Sequence, residues 1–462
     1  MGIKTLDRPA LPDPFSAHRI PADIPMSVKD RLKRLTGEGQ PALSKSPRQE
    51  QISELRRKID DIMARRAAYP QRSTAFHPPL PGRPLHEVIT GEEARTDLGA
   101  CFFSRCTFKA QSFHGRIRIA RLTDADMKAA AVLAGHPEIA GMDISDALFL
   151  DTETTGLAGG TGTFAFLIGL GWYEGQDFVV CQLFARDFHE EGSMLALLGD
   201  MASEKRFLVT FNGRAFDVNL LSARYILNRL PNPLTDMPHL DLLFPSRRLA
   251  GHRLENCRLG TLESEILGFR RTGDVPGYEI PARYFTWLKN RDASPLEEVF
   301  HHNRLDVVSM AALTAYFADL LTGGHELPHA HPGDLLAAAR MHLQHGDESI
   351  ALALLDVLTK SRDSLAARNA GITLSLFHKR QGAWEDAVRI WEDMLACDPH
   401  DLFAAEELAK WLEHRACDNA RAIGVVETIL AGSRSLSPTE RQALAHRLAR
   451  LKKKSAAGAG RE

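Results

Sequence analysis

Cysteine is scarce in this chain: six in 462 residues, with only Cys101 and Cys106 close together. None of the paired short spacings of a structural zinc site occurs, and nothing suggests a disulfide framework, so reduced thiols and a cytoplasmic location are expected. Long apolar runs are missing as well. No segment approaches the roughly 20 apolar residues of a membrane span, and the opening MGIKTLDRPALPDPFS lacks a signal-peptide core. Neither charge sign dominates. A net charge of -2 and a pI near 6.8 exclude a uniformly basic nucleic-acid coat, though not a local basic groove. What is present is a near-average globular composition, 44% hydrophobic and 25% charged with 34 Gly and 24 Pro. That excludes collagen-like, fibrous or wholly unfolded chains, and the length allows about two to four domains.

Composition divides the chain. Residues 1–85, rich in Pro, Lys, Arg and Ser, read as an extended N-terminal arm with one amphipathic helix, in which Ile52, Leu55, Ile59, Ile62 and Met63 recur at helical spacing. Residues 86–146 contain short apolar segments, 100–103 and 117–120, that read as lead-in strands. From Ala147 the pattern is clear: strands over 147–151, 163–172 and 178–184, the last two joined by the turn-like Glu174-Gly175-Gln176, form an antiparallel set. A helix over 191–201, a strand over 207–211, a helix over 214–230, an apolar run over 240–244 and a helix over 296–321 follow. Strands first and helices interleaved afterwards indicate an α/β fold with a mixed sheet over 147–325.

Beyond Gly323-Gly324, Pro328 and Pro332 the sequence turns Ala- and Leu-rich with no strand signal, so 333–451 is expected to be all-α and 452–462, opening on Lys452-Lys453-Lys454, a disordered tail. Gly346-Asp347 and Gly382-Ala383, each followed by an apolar helical pattern, lie 36 residues apart, close to a helical repeat of about 34. The stretch 382–399, with Trp384, Ala387, Trp391, Leu395 and Asp398-Pro399, resembles a tetratricopeptide unit. The resemblance implies stacked helical hairpins whose concave face binds a protein partner.

Three acidic segments carry the chemistry. Asp151-Thr152-Glu153-Thr154-Thr155-Gly156-Leu157 closes an apolar strand, and residues i and i+2 of a strand share a face, so Asp151 and Glu153 point the same way. Two carboxylates there repel unless a cation joins them, and hard oxygen donors suit Mg²⁺ or Mn²⁺ better than zinc. In Thr210-Phe211-Asn212-Gly213-Arg214-Ala215-Phe216-Asp217 a strand turns through Asn-Gly into a helix and sets Asp217 in its first turn, where the helix dipole also favours an acid. In His301-His302-Asn303-Arg304-Leu305-Asp306, His302 and Asp306 stand at i and i+4 on one helical face.

Together these segments resemble the motifs of the DEDD exonuclease superfamily, the ribonuclease H-like group that includes polymerase proofreading domains. The likeness is greatest to bacterial stand-alone ribonuclease H-like exonuclease-domain proteins and covers about 147–321. It implies a ribonuclease H-like mixed sheet flanked by helices and a metal-dependent nuclease, a 3′ to 5′ exonuclease on single-stranded DNA or RNA. It also implies two divalent cations, Mg²⁺ or Mn²⁺, held by Asp151, Glu153, Asp217 and Asp306, with a histidine as base. One branch of the superfamily has Tyr four residues before the last Asp and another has His five before it. This chain has His302 and His301 at those places, and the face shared with Asp306 favours His302. By the same resemblance Leu157 presses on the terminal nucleotide and Asn212 fixes the turn of the second motif. The contrasting expectation is a catalytically silent adaptor that binds nucleic acid while the repeats recruit a protein.

Two further features stand beside these. Gly159-Gly160-Thr161-Gly162 is not followed by the Lys of a P-loop and reads as a strand connection. Arg247, Arg248, Arg253 and Arg258 form the densest basic run of the α/β region and suit phosphate, or else a solvated loop.

Overall fold

A computed structural model of the chain describes residues 82–156, 162–323, 330–432 and 436–459. The amphipathic stretch at 52–63, Leu157 and Gly159 to Thr161 lie outside the described residues. A one-turn helix α1 (Leu85–Val88) precedes the hairpin β1 (Glu92–Thr96) and β2 (Gly99–Phe108). A short ribbon, β3 (Phe113–His114) and β4 (Ile117–Arg118), and helix α2 (Met127–Ala134) lead to β5 (Ala147–Thr154), β6 (Ala165–Glu174) and β7 (Asp177–Phe184). Then come α3 (Glu191–Ser203), β8 (Phe207–Thr210), α4 (Asp217–Asn228), β9 (His239–Asp241) and α5 (Leu243–Leu249). The α/β region ends with α6 (Leu259–Leu262), prolonged by a π-helical turn (Glu263–Leu267), α7 (Ile280–Asn290) and the long α8 (Leu296–Leu321).

Seven strands form one sheet in the order β1-β2-β7-β6-β5-β8-β9. β5, β6 and β7 are antiparallel as expected, and β8 and β9 add in parallel beside β5, so the sheet is mixed and helix-flanked, as in ribonuclease H-like folds. The β6–β7 hairpin closes at Gly175, whose φ of +61° is a conformation that costs glycine no Cβ clash. Of the expected lead-in strands, 100–103 falls in β2, which pairs with β7, carries β1 on its other edge and so widens this same sheet, with Phe102 opposite Phe184, whereas 117–120 gives only β4 of the separate ribbon and then a 3-10 turn.

Alternation along the strands sorts the core into two clusters. Phe149, Phe178 and Val209 pack with Val307, Val308 and Ala311 of α8, whereas Leu148, Leu150 and Leu208 pack with Met194 and Leu195 of α3 and Leu221 and Tyr225 of α4. Two glycines let α8 lie directly on β6. A Cβ at Gly169 would stand 2.4 Å from Oδ1 of Asn303, and one at Gly171 would stand 2.5 Å from Cγ1 of Val307.

An all-helical region follows: α9 (Pro332–His345), α10 (Glu348–Thr359), α11 (Ser364–Gln381), α12 (Trp384–Cys397), α13 (Leu402–Trp411), α14 (Asn419–Gly432) and α15 (Pro438–Ala459). Gly346 and Gly382, the 36-residue pair of the sequence, are left-handed caps at φ +87° and +77° that end α9 and α11. Leu336 and Ala338 of α9, Leu354 and Leu355 of α10 and Ala370 of α11 belong to the core cluster of the sheet and α8. Trp391, Leu408, Leu412 and Val426, farther along, form a cluster of their own.

Several elements depart from the expected ones. The helix expected from residue 214 starts at Asp217, because the chain first spends Asn212 to Phe216 in a turn. The run 240–244 is split between β9 and α5. α6 and α7 were not foreseen. The tail expected to be disordered from 452 is helical to Ala459, and Lys452 and Lys454 have partners in Glu427 at 2.7 Å and Glu413 at 2.8 Å. Among the described residues no helix is long and apolar enough to cross a membrane.

Candidate active site

The end of β5 delivers Asp151 and Glu153 on the face covered by α8, with Asp151 paired in register to Gly169 on β6. The space left by that glycine is filled by Asn303, a fully buried amide from α8. Its Nδ2 donates to Oδ2 of Asp151 at 2.8 Å, and its Oδ1 accepts from Nε2 of Gln182 at 2.9 Å. Gln182 in turn donates to the Phe300 carbonyl at 2.8 Å. Asp151 is thereby aimed by a satisfied polar chain that ties β7, α8 and β5 together.

Asp217 arrives by a different device. After β8, Asn212 adopts φ +65°, and a Cβ on the next residue, Gly213, would lie 2.4 Å from Oγ1 of Thr210. Asp241, at the end of β9, holds the turn: its Oδ1 accepts from the Asn212 N–H at 2.6 Å and its Oδ2 from the Arg214 N–H at 3.1 Å. Asp241 therefore braces the backbone. Asp217 then opens α4 and accepts a hydrogen bond at 2.5 Å from Oγ1 of Thr152, the residue between the two β5 acids.

From α8, His302 and Asp306 project one turn apart. Nε2 of His302 is 3.5 Å from Oδ2 of Asp306 and 3.9 Å from Oε1 of Glu153. Ligand atoms of Glu153, His302 and Asp306 all lie within 4.8 Å of one another. Nδ1 of His302 meets Oδ1 of Asp274 at 2.8 Å. Nδ1 also lies 3.3 Å from Nη1 of Arg271, and with a proton on Nδ1, shared with Asp274, the imidazole would turn the lone pair of Nε2 to the side of the acids. His301 is exposed and outside this cluster.

Among the described residues, one guanidinium sits among these groups. Arg271 pairs with Glu263 through Nε at 2.8 Å and Nη2 at 2.6 Å, with Asp274 through Nη1 at 3.1 Å, and with Oδ1 of Asp306. It does not balance the cluster. Desolvation and the charges of Asp306 and Asp217 push Asp151 well above the usual carboxylate range, and desolvation with Asp151, Asp306 and Asp217 does the same to Glu153. Asp217 is raised to about 6, by desolvation first and then by Asp241, against the pull of Thr152. Desolvation raises Asp306 too, with Arg271 and His302 opposing it. Asp274 is the exception: despite its burial, the bond to His302 and the Arg271 charge hold it below the ordinary value.

The structure thus brings Asp151, Glu153, Asp217, His302 and Asp306 to one end of the sheet and sets Asn212 in the turn before Asp217, while Leu157 lies outside the described residues. Asn303, Gln182, Thr152, Arg271 and Asp274 were not singled out from sequence. Asn303 stands inside the third motif, and that was its one signal. Arg271 and Asp274 lie in a segment without periodicity and announce nothing until it folds back on α8. Of the basic run, Arg253 is bound to Asp334 at 2.8 Å by both Nε and Nη2, and Arg247, Arg248 and Arg258 are exposed.

Comparison with known proteins agrees with this architecture. A family model described as the RNase H superfamily matches residues 148–318, the span from β5 to α8 that holds all four acids. The uncharacterized protein YprB of Bacillus subtilis (strain 168) is 35% identical over 323 residues, which cover 68% of this chain and 76% of YprB. Nucleases of this superfamily generally use divalent metals and bind nucleic acid, and the acidic cluster is of a kind that could hold such ions.

Proposed function

We propose, from the premise that this chain belongs to the RNase H superfamily and to the family of YprB, that it is a metal-dependent 3′ to 5′ exonuclease acting on single-stranded DNA or RNA in the cytoplasm. The observation that carries the reading is the convergence of Asp151, Glu153, Asp217 and Asp306 from three distant segments into a cluster with more negative charge than the one guanidinium found there among the described residues offsets. The donors fit the group expected there: carboxylate oxygens on rigid elements suit Mg²⁺ or Mn²⁺. Two such cations held by the four acids would neutralise them and polarise the phosphodiester as Lewis acids.

The chain's own part is positioning and proton transfer. Asn303 and Thr152 orient Asp151 and Asp217. The attacking water bonds to phosphorus, its proton passes to Nε2 of His302, and the bond to the leaving oxygen breaks. Asp274, on Nδ1, stabilises the imidazolium that results. Leu157 would press on the terminal nucleotide, and Asn212, in the turn of the second motif, would take part in binding the substrate. The helices over 333–451 would form tetratricopeptide-like hairpins for a protein partner.

The test is degradation of 5′-labelled and 3′-labelled single strands, DNA and RNA in parallel, with Mg²⁺ or Mn²⁺. Shortening from the 3′ end that disappears in Asp151→Ala/Glu153→Ala supports the reading. Binding without cleavage under any of these conditions would replace it with the adaptor, and internal cuts would replace the exonuclease with an endonuclease.

A further inference from the structure

A cleft of about 550 Å³ opens between α5 and the helices α9 and α11, and none of the β5-site acids lines it. Its lining includes Arg248, His252, His331 and Arg340 over an apolar floor that contains Leu336 and Met341. We infer that this cleft is a second binding site for single-stranded nucleic acid, seating the phosphodiester backbone on Arg248 and Arg340 and a base on the apolar floor. The inference rests on the nuclease reading for its choice of ligand.

Charge decides what the cleft can hold. Among the described residues, Arg248 and Arg340 have no carboxylate within ion-pair distance. Arg340 is braced by the Thr373 hydroxyl, at 3.3 Å from Nε and 3.2 Å from Nη2, which leaves its other N–H groups free. The two acids at hand are already engaged. Asp363 caps α11, accepting from the N–H groups of Leu365 and Ala366 at 3.0 and 3.1 Å. Asp334 is buried and held by both arms of Arg253. His252, His331 and Asp334 are close enough together to ligate a metal, but an arriving cation would meet the guanidinium of Arg253, with Arg248 and Arg340 lining the same cleft. A phosphate meets the opposite field. Gly333, in the first turn of α9, makes room for His252, whose Nε2 would be 2.3 Å from a Cβ there. This places the imidazole beside the positive end of a 14-residue helix. Cations contributed by α5 and α9 thus converge on one cleft, and the apolar floor beneath them suits the face of a base.

The experiment is fluorescence anisotropy of the full chain with a labelled single strand in EDTA, titrated with salt. Binding should weaken about tenfold in Arg248→Gln/Arg340→Gln, and the slope of log affinity on log salt should shrink by about 1.4, or 0.7 for each lost phosphate contact. Arg248→Lys/Arg340→Lys should restore most of both. With Mg²⁺ or Mn²⁺ the Gln variant should raise KM on long strands and leave kcat on a trinucleotide unchanged. The exposed single variant Arg248→Gln, with half the slope change, serves if the double variant is unfolded by circular dichroism. An unchanged affinity and slope overturn the inference, as does equal competition by a mononucleotide, which would make the cleft a small-molecule site, or by a polyglutamate peptide, which would assign it to an acidic protein. Failure of the nuclease reading is separate: the wild type would bind through the cleft yet cut nothing.

Discussion

Two groups of acidic residues in this molecule have opposite electrostatics. Glu413, in a π-helical turn (Leu412–Ala416) after α13, is ringed by cations: Arg450 through Nε at 2.8 Å and Nη2 at 2.7 Å, Lys454 at 2.8 Å and Arg447 at 3.0 Å. The Arg450 hydrogen bonds lead in drawing its carboxyl down to about 2. At the end of β5, Asp151, Glu153, Asp217 and Asp306 lie together, Arg271 pairs with Asp306 alone of the four, and all four are raised. Desolvation leads in raising the four acids at β5, and it acts on Glu413 too, where the surrounding cations outweigh it. The supply of positive charge decides the sign. An acid that serves the fold comes with its cations built in, whereas a cluster that lacks them is costly to maintain and makes sense as a receptor for cations from solution.

The sharpest way to break this comparison is to remove one acid from the β5 cluster. Asp151→Asn keeps the shape and can still accept from Asn303. It should nevertheless cut metal-stimulated hydrolysis by roughly a hundredfold to a thousandfold, the counterpart of about 3–4 kcal/mol of lost transition-state stabilisation. The metal-free protein should hold or gain thermal stability, because a like charge has gone. A variant that lost activity and melted several degrees lower would make Asp151 a structural acid after all. Nuclease assays beside thermal denaturation in EDTA separate these outcomes.

Next in size is the mirror experiment. Glu413→Gln should cost about 2–3 kcal/mol at neutral pH, since it leaves Arg450, Arg447 and Lys454 without their carboxylate. The signs of the pH dependence are opposite in the two regions. The lowered group contributes stability that is present above its unfolded value near 4.5 and lost as pH falls toward about 2, so the gap between wild type and Glu413→Gln should close in that window. Asp217 is raised from 3.8 to about 6, so its protonated form contributes stability below 3.8 that is lost as pH rises through 6. Compared with Asp217→Asn, the metal-free wild type should therefore weaken between pH 4 and pH 6. Urea denaturation across pH 2.5–7 checks both, and parallel curves for the two variants would abolish the contrast.

Much of the β5 region was legible because its logic is local. An apolar run that ends in Asp-x-Glu specifies a buried strand with two carboxylates on one side, and His302 and Asp306 share a helical face by spacing alone. Asn-Gly before Asp217 marked a turn, although the helix began three residues later than periodicity indicated, because Asp241 from a separate strand holds that turn open. The parts that stayed hidden depend on distant pairings. Arg271 and Asp274 acquire meaning only when their loop returns to α8, and Glu413 looked like any helical Glu until α15 brought three cations to it. The continuation of the sheet core into α9, α10 and α11 was equally unreadable, since helical periodicity says which face is apolar and not what covers it.

The smallest effect tests the least visible part of the β5 site, the fit of Asn303 over Gly169. Gly169→Ala places a methyl group 2.4 Å from Oδ1 of Asn303 and must displace an amide that is itself bonded to Asp151 and Gln182. Asn303→Ala removes the hydrogen bond to Asp151 and leaves a gap at the same place, which should lower kcat about tenfold, the equivalent of roughly 1.4 kcal/mol. If the two positions act as one contact, the methyl group added on β6 occupies part of that gap in the double variant, and the pair should cost about 1 kcal/mol less than the sum of the single changes. Denaturant unfolding of the four proteins measures this coupling. Simple additivity would mean that Asn303 and Gly169 answer to different neighbours, and that the missing side chain on β6 has no part in positioning the first acid of β5.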